Sequence, residues 1–223
     1  MSDIHEVIVS RKSIRRYKPD PIPEEMIDKV LEAGRWAATG ENYQPWRYIV
    51  VKNQETKNKI AKLAKVGSGS RMTTWYCLGE MQERFAGIED PVKRAEVLRF
   101  MYSGEVSEFC KEAPVIIVVL GTLMEGSVDV PYDLSATCEN MLLQAHSIGL
   151  GACWVHAPVG TTRDAKKMKE IMKIPTGMGQ YKVLAYLAFG WPKEDRKHPR
   201  PKKPLADLVY WEEFGRKERP TYE

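Results

Sequence analysis

The sequence has few cysteines and no long apolar run. These two features argue against a disulfide-rich or metal-binding protein and against a membrane-spanning one. Its four cysteines are far apart and form no CxxC pair. We therefore expect buried free thiols, with neither a metal site nor a disulfide framework. No apolar run approaches the roughly 20 residues that a membrane-spanning helix needs. The start, MSDIHEVIVS, lacks the basic-then-apolar pattern of a signal peptide. A cytoplasmic protein without a membrane partner is the expectation.

The chain has 223 residues, of which 43% are apolar and 29% charged, a balance typical of one globular domain. Its net charge of +4 is unevenly placed. The segments 11–20 and 193–203 each carry a surplus of four positive charges, so the remainder is acidic. A protein that binds a long polyanion is usually basic over a whole face. Two short basic segments suit a small anion better.

Hydrophobic spacing predicts alternating helices and strands. Helical spacing occurs in 21–38, 54–66 and 134–149, and after Thr162, which we expect to cap a further helix. Strands are predicted at 46–52, 113–121, 151–155 and 181–192, with 113–121 central because it is apolar throughout. Residues 67–105 are less regular and are interpreted as a lid or an inserted helical pair. The order of elements predicts a layered α/β or α+β domain over 1–223.

The segment VSRKSIRRYKP (9–19) concentrates positive charge near the start of the chain. Arg11, Ser13 and Arg15 alternate, so in an extended segment their side chains would point the same way. Two guanidinium groups and a hydroxyl that converge would bind a phosphate group. A solvated basic turn before a helix is the alternative interpretation.

A second polar stretch, ATGENYQPW (38–46), separates a predicted helix from a predicted strand. Its side-chain amides can donate to and accept from the edge of a flat heteroaromatic ring. Ordinary turn chemistry would explain the same residues.

Four segments taken in order resemble the nitroreductase family of FMN-dependent oxidoreductases. They are RKSIRRYKPDPIP, ATGENYQPWRYIVV, GLGACWVHAP and LAFGWPKEDRKHPRPKKPLADLV. The resemblance covers nearly the whole chain except 67–105. It implies a three-layer α/β/α sandwich with a central mixed sheet, in an intertwined homodimer with an extended C-terminal tail over 192–223. It also implies hydride transfer from NAD(P)H, through FMN, to a nitroaromatic, quinone or similar conjugated acceptor.

The resemblance also implies which residues would bind FMN. The phosphate and ribityl chain would be held by Arg11, Lys12, Ser13 and Arg15. C-terminal cations would close over the same phosphate, and these match Arg200 and Lys202. The loop that reaches the flavin of the other subunit corresponds to Thr39, Gly40 and Asn42, and Gln44 matches a flavin or ribityl contact. The backbone along the N5 and O4 edge of the ring corresponds to Val155, His156 and Ala157.

Some residues depart from the family pattern or stay open. The family usually has Pro-Ser-Gly where this chain has Ala38-Thr39-Gly40, and Glu41 adds a carboxylate that is unfavourable unless it points outward. Within 67–105, Trp75 and Tyr76 are either core residues or part of a mobile roof that contacts substrate. His156 is expected to pack or to form hydrogen bonds, with general acid catalysis as the alternative.

Other functions remain as alternatives. No GxGxxG follows a predicted strand, so NAD(P)H would bind transiently on the open flavin face and the kinetics would be ping-pong. Relatives of the same fold dehalogenate iodotyrosine or fragment reduced flavin, and a flavin carrier without catalysis is a further possibility. Nucleic-acid binding would need aromatic side chains between the cations, and Tyr17 alone qualifies.

Overall fold

Four β-strands and eight α-helices make up the described part of the chain in the computed structural model, which covers residues 3–122, 130–177, 181–193 and 202–221. The strands are β1 (Trp46–Val51), β2 (Val115–Thr122), β3 (Gly151–Val155) and β4 (Tyr181–Gly190). The helices are α1 (Ile4–Ser10), α2 (Glu24–Arg35), α3 (Gln54–Cys77), α4 (Glu80–Arg84), α5 (Pro91–Tyr102), α6 (Val130–Ser147), α7 (Thr162–Met172) and α8 (Leu205–Leu208). Three 3₁₀ segments span Gly40–Asn42, Glu105–Glu112 and Ala157–Val159.

The strands form one sheet in the order β1-β2-β4-β3, and all three pairings are antiparallel. A single parallel bridge, between Ser13 and Ala152, adds residues outside the named strands to the edge at β3. The expected α+β class is confirmed. The parallel component of the expected mixed sheet is limited, among the described residues, to this one bridge.

Alternate residues of β2 face two separate helical layers, which is why this strand is apolar throughout. Ile116, Val118 and Leu120 join the cluster that contains α3 and α7 residues. The intervening residues, such as Ile117, join the cluster that contains α2 and α6 residues. Because both faces are covered, β2 is buried as predicted, and the sheet lies between two layers of helices.

Helix α3 is longer than the sequence pattern predicted. We expected it to end at residue 66, before GSGSRMTT, but it continues to Cys77. Gly67 explains the difference, because a Cβ atom there would lie 2.0 Å from the carbonyl oxygen of Ala157. The glycine therefore serves close packing of α3 against the segment after β3 rather than a turn. Tertiary packing outweighs the low helix propensity of glycine at this position.

Two smaller predictions are wrong. Thr161, and not Thr162, caps α7, because its hydroxyl accepts a hydrogen bond from the backbone N–H of Asp164 at 3.1 Å. The threonine one residue earlier has the extended backbone that an N-cap requires. Cys77 is exposed, whereas the other three cysteines are buried free thiols as expected. Cys77 is the last residue of α3, beyond the packed part of that helix.

The described residues of 67–105 are helical and lightly packed. Beyond the end of α3, this stretch contains α4 and α5, and α5 has no buried residue. Met81 of α4 is nevertheless almost fully buried. A role as a lid over a bound flavin stays a prediction. Within the described ranges, no helix has both the length and the apolar character that crossing a bilayer requires.

We expect Gly67→Ala to destabilise the fold. The added Cβ would collide with a backbone oxygen rather than with a movable side chain, so the free energy of unfolding should fall by about 3 kcal/mol. Urea denaturation followed by circular dichroism measures this change. Gly87→Ala is the matched control, because nothing lies within 4 Å of its added Cβ, and it should stay within about 1 kcal/mol of wild type. Equal effects of the two substitutions would contradict the packing argument.

Candidate functional site

The basic segment crosses the edge of the sheet at β3. The backbone N–H of Ile14 donates to the carbonyl oxygen of Ala152 at 2.9 Å. Tyr17 is buried, and its hydroxyl lies 2.6 Å from the oxygen of Ile14 and 3.2 Å from that of Ala188. A tyrosine held in this way is not available to stack on a base, so the one aromatic residue between these cations cannot serve nucleic-acid binding in that way.

Two glycines leave the space through which this segment passes. A Cβ atom at Gly151 would lie 2.8 Å from side-chain atoms of Ile14, and one at Gly190 would lie 2.8 Å from the ring of Tyr17. Because Gly151 and Gly190 have no side chain, residues 13–17 can lie directly against the sheet. Arg11, Lys12 and Arg15 are positioned by that contact.

Arg11 has a buried nitrogen that lacks a well-formed hydrogen bond. Its Nε lies 3.2 Å from Oε1 of Glu139 on α6, and the Arg11 side chain is 24% exposed. Among the described residues, Nε has no partner that satisfies hydrogen-bond geometry. A buried donor without a well-aligned acceptor is costly, although the Glu139 carboxylate compensates the charge of Arg11. Arg11, Lys12 and Ser13 follow one another in the chain and carry donors of the kind that hold a phosphate group.

Arg11 and Arg15 do not share one face as their alternation predicted. Arg15 lies over the ring of Phe109, 5.9 Å from its centroid, in the layer that contains α3. Arg11 pairs with Glu139 of α6, which belongs to the opposite layer. Arg11 is the C-cap of α1, and its backbone N–H donates to the carbonyl oxygen of Val7. It therefore lies before the extended segment, and the alternation of side chains along that segment does not apply to it. The assignment of both to the phosphate stays a prediction.

His146 of α6 contacts the same segment. Its Nε2 lies 2.8 Å from Oγ of Ser10, and that hydroxyl donates to the oxygen of Glu6 at 2.6 Å. Burial, followed by the positive charges of Lys12 and Arg11, lowers the pKa of the His146 imidazole. Neither Glu139 nor His146 was among the residues predicted for the site. Their spacing of seven residues on a predicted helix, two turns apart on one face, was the available signal.

The loop between α2 and β1 has unusual backbone geometry. Glu41, Asn42 and Gln44 have positive φ angles of 51°, 56° and 51°. The hydroxyl of Thr39 accepts a hydrogen bond from the backbone N–H of Gln44 at 3.3 Å, and the Gln44 amide donates to the oxygen of Asn42 at 3.2 Å. Left-handed backbone at non-glycine residues is strained and occurs often at functional sites. Glu41 is exposed, as the family's anionic cofactor would require.

The segment after β3 holds His156 by a backbone contact. Its Nδ1 lies 2.8 Å from the carbonyl oxygen of Leu184, and since a carbonyl only accepts, Nδ1 carries the hydrogen. The ring is otherwise exposed. This geometry supports the expected hydrogen-bonding role. Val155 is buried, and Ala157 packs on Gly67 of α3.

A single chain separates the predicted flavin contacts into two groups. The loop 39–44 precedes β1, at one edge of the sheet, whereas Val155–Ala157 follows β3 at the other edge. Three strand spacings, about 14 Å, lie between these two edges. The basic segment crosses near Ala152, on the same side as β3. The structure therefore brings the basic segment and the end of β3 to one edge and leaves the loop apart.

The remaining predicted residues are dispersed. Trp75 lies near the end of α3 under the guanidinium of Arg71, 5.0 Å from its ring, and Tyr76 contacts the ring of Tyr102 at 5.8 Å. Lys202 is exposed, and Arg200 lies outside the described residues. The proposed meeting of the two basic segments stays a prediction.

The structure defines an α+β protein whose basic segment crosses one edge of a single sheet. The chain belongs to the Nitroreductase family, whose model matches residues 8–191. NADH dehydrogenase of Thermus thermophilus is 24% identical over 94% of this chain and 96% of its own length. Iodotyrosine deiodinase 1 of Rattus norvegicus is 24% identical over 93% of this chain and 68% of its own. An FMN-dependent nitroreductase of Clostridium difficile has the same fold, with a TM-score of 0.67 at 22% identity over 92% of this chain and 96% of that one.

We expect Glu41→Gly to stabilise the fold by about 0.5 kcal/mol. Left-handed backbone costs an ordinary residue about 1–2 kcal/mol, and glycine removes that cost while adding about 0.5–1 kcal/mol of chain entropy. Thermal unfolding of the two proteins measures the difference. Glu89→Gly, at an exposed position without positive φ, should instead destabilise. A loss of stability at both positions would show that the loop is not strained at Glu41.

Proposed function

We propose that this chain is a cytoplasmic, FMN-dependent oxidoreductase that takes hydride from NAD(P)H and passes it to a nitroaromatic, quinone or similar conjugated acceptor. The observation that carries the proposal is the match of residues 8–191 to the Nitroreductase family, together with a buried Nε of Arg11 whose contact with Glu139 lacks hydrogen-bond geometry. The Clostridium difficile neighbour is named as FMN-dependent, and the Thermus relative is named for NADH.

The phosphate of FMN would be held by the donors of the basic segment. Arg11 offers its buried Nε, and Lys12 and Ser13 follow it in the chain. Arg15 lies over the ring of Phe109, in the layer opposite to that of Arg11, so its side chain would have to leave this ring to reach the same phosphate. The predicted cations at 200 and 202 would complete the charge balance. A dianion at this point would offset the mutual repulsion of these cations.

The flavin ring would lie along the residues that follow β3. When bound, FMN supplies the group that accepts and returns hydride, so the protein orients the ring rather than performing acid–base chemistry. Gly67 allows α3 to pack closely against Ala157, and this contact holds the backbone of the segment after β3 in place. The bond from Nδ1 to Leu184 holds His156 in one orientation beside it. Trp75 and Tyr76, further along α3, would contact flat acceptors above the ring.

We infer that two copies of the chain complete each site. Within one chain, β2 and β4 separate the loop 39–44 from the edge where the basic segment lies. A loop that serves the partner subunit's flavin would satisfy both the family resemblance and this separation. The strained geometry at Asn42 and Gln44 fits a loop whose side chains act outside their own chain.

Reductive dehalogenation is the second candidate, favoured by the relationship to iodotyrosine deiodinase 1 over 93% of this chain. The lid residues that such relatives use, a Glu, Tyr and Lys group, have no counterpart at matching spacing in 67–105. We therefore place this activity behind reduction of conjugated acceptors.

The purified protein tests the proposal directly. It should be yellow, or should bind added FMN, and NADH or NADPH should bleach the flavin in the absence of oxygen. Addition of a nitroarene or a quinone should then restore the colour, with ping-pong kinetics. Recolouring by iodotyrosine alone would favour the second candidate. A protein that does not bind FMN would overturn both, and bleaching without any reoxidation by these acceptors would overturn the proposed reaction.

Mixed dimers test the shared site. We expect Arg11→Ala and Asn42→Asp each to reduce FMN binding when present in both chains, with Asp chosen because it tolerates left-handed backbone as Asn does. In a heterodimer of the two variants, one site would combine the intact Arg11 of one chain with the intact Asn42 of the other. Tandem affinity tags on the two chains isolate that heterodimer for FMN titration.

One normal-affinity site per heterodimer is the expected result. If both groups served the same chain's flavin, each site in the heterodimer would carry one defect and neither would bind normally. That outcome would contradict the shared site. The wild-type heterodimer with the same two tags is the control.

A further inference from the structure

The end of helix α3 extends beyond the segment that follows β3. The helix starts beside the residues that lead into β2, where the side-chain amide of Gln54 donates to the carbonyl oxygen of Lys111 at 3.0 Å. It passes Ala157, just after the end of β3, at Gly67. Since a helix rises about 1.5 Å per residue, residues 68–77 continue for about 15 Å past that contact.

Helix α5 covers one face of this extension. A Cβ atom at Gly69 would lie 3.0 Å from the carbonyl oxygen of Tyr102, the last residue of α5. The ring centroids of Tyr76 and Tyr102 are 5.8 Å apart. Gly69 and Tyr76 are two turns apart and therefore share a face of α3. The contact with α5 thus uses the Gly69 face along the whole extension.

Arg71 lies on the other face of the extension. Successive residues of a helix are turned by about 100°, so Arg71 is about 200° from Gly69 but only about 40° from Gly67. The face that contacts Ala157 through Gly67 therefore continues to Arg71, one turn further on. Arg71 is exposed there, and Met72 is the one buried residue in 70–77, all of which the structure describes.

The guanidinium of Arg71 is oriented by an aromatic ring but has no counter-ion in the described part of the chain. Its central carbon lies 5.0 Å from the centroid of the Trp75 ring. Within the described ranges this guanidinium forms no ion pair and donates no hydrogen bond. Lys65, the preceding cation of α3, is instead paired with Glu105 and Glu108. Arg71 is therefore a cation with its donors available, held in one direction by stacking.

We propose that Arg71 is a specificity-determining residue that binds a carboxylate group of the electron acceptor, so that flat conjugated acids are the preferred acceptors. This inference rests on the proposed function, because it takes the flavin to lie along Val155–Ala157. A guanidinium presents two parallel donors that match the two oxygens of one carboxylate. Trp75 adds an aromatic surface beside that contact for the ring of the acceptor.

Arg71 takes no part in the electron transfer itself. In the proposed reaction, a nitro group takes hydride from the reduced flavin and protons from solvent, and becomes a nitroso group with loss of water. The carboxylate of the acceptor stays intact throughout. The contact with Arg71 would hold the acceptor in place and select it by charge.

The pyrophosphate of NAD(P)H is the other anion that would reach this face. It carries two charges, whereas residues 66–77 of α3 contain Arg71 as their single cation. One planar pair of donors beside an aromatic ring suits a single carboxylate better. Under ping-pong kinetics, reduction by NAD(P)H and reoxidation by the acceptor are measured separately, so the two assignments give different results.

Stopped-flow reoxidation of the reduced flavin by 4-nitrobenzoate and by 4-nitrobenzamide tests the proposal. These acceptors are nearly equal in size and differ in charge. The ratio of their second-order rate constants should be about tenfold lower in Arg71→Gln than in wild type, the effect of losing one charge-assisted contact. Any intrinsic difference in reactivity between the two acceptors cancels in this comparison. Arg71→Lys keeps the charge without the paired donors and should retain part of the preference.

Arg84→Gln is the matched control. Arg84 also lies over a ring, 5.9 Å from the centroid of Phe85, but it belongs to α4 and not to the open face of α3. This variant should keep the wild-type ratio of rate constants. All variants should bind FMN and be reduced by NADH or NADPH as wild type is.

An unchanged ratio in Arg71→Gln would overturn the inference and leave the proposed function intact. Slower reduction by NADH or NADPH with an unchanged acceptor ratio would assign Arg71 to the dinucleotide, and altered sedimentation would assign it to a contact between subunits. Equal losses with both acceptors would indicate a structural role. Each of these results contradicts the proposal. A wild-type protein that binds no FMN, or whose flavin neither acceptor reoxidises, would instead overturn the proposed function.

A second measurement uses only the wild-type protein. Salt screens a contact between an exposed cation and an anionic acceptor, so reoxidation by 4-nitrobenzoate should slow about threefold between about 0.05 and 0.5 M sodium chloride. Reoxidation by 4-nitrobenzamide should stay constant over the same range. Equal responses of the two acceptors to salt would contradict the carboxylate contact.

Discussion

Residues 13–17 are bonded to the edge of the sheet, and the candidate site depends on that contact. The N–H of Ile14 donates to Ala152, the hydroxyl of buried Tyr17 reaches two backbone oxygens, and Gly151 leaves the space for the crossing. Because these bonds fix the backbone, the cations on either side are held close to β3 at little further entropic cost. A flexible basic tail would have to lose that freedom on binding each ligand.

Two arginines of the basic segment have partners of different kinds. Glu139 approaches Arg11 without a well-formed hydrogen bond, and Arg15 lies on an aromatic ring. Burial, followed by the positive charges of Lys12 and Arg11, lowers the pKa of the His146 imidazole on the neighbouring helix. The concentration of positive charge in residues 11–18 is the physical basis for the proposed cofactor phosphate.

The sheet order sets the second constraint. With β2 and β4 between them, the loop 39–44 and the residues after β3 lie at opposite edges, although both are at the same end of the strands. Family resemblance assigned both groups to a flavin, and one chain alone does not unite them. Under the proposed function, two copies of the chain would bring both groups to one flavin, and cofactor binding would then depend on dimer formation.

The residue pattern by itself determined a layered domain of helices and strands, the central position of β2 and the basic segment, because an apolar run and a cluster of charges can be read from residue order alone. Helix α2 and the helix ending before Gly149 were predicted for the same reason. The choice of α+β over α/β came from the family resemblance. Only the tertiary structure decided that α3 continues through Gly67, that Arg11 and Arg15 face opposite layers, and that His146 contacts Ser10. Those features depend on contacts between residues more than 80 positions apart, as Gly67 with Ala157 and Ser10 with His146 illustrate, and hydrophobic periodicity carries no information about such pairs.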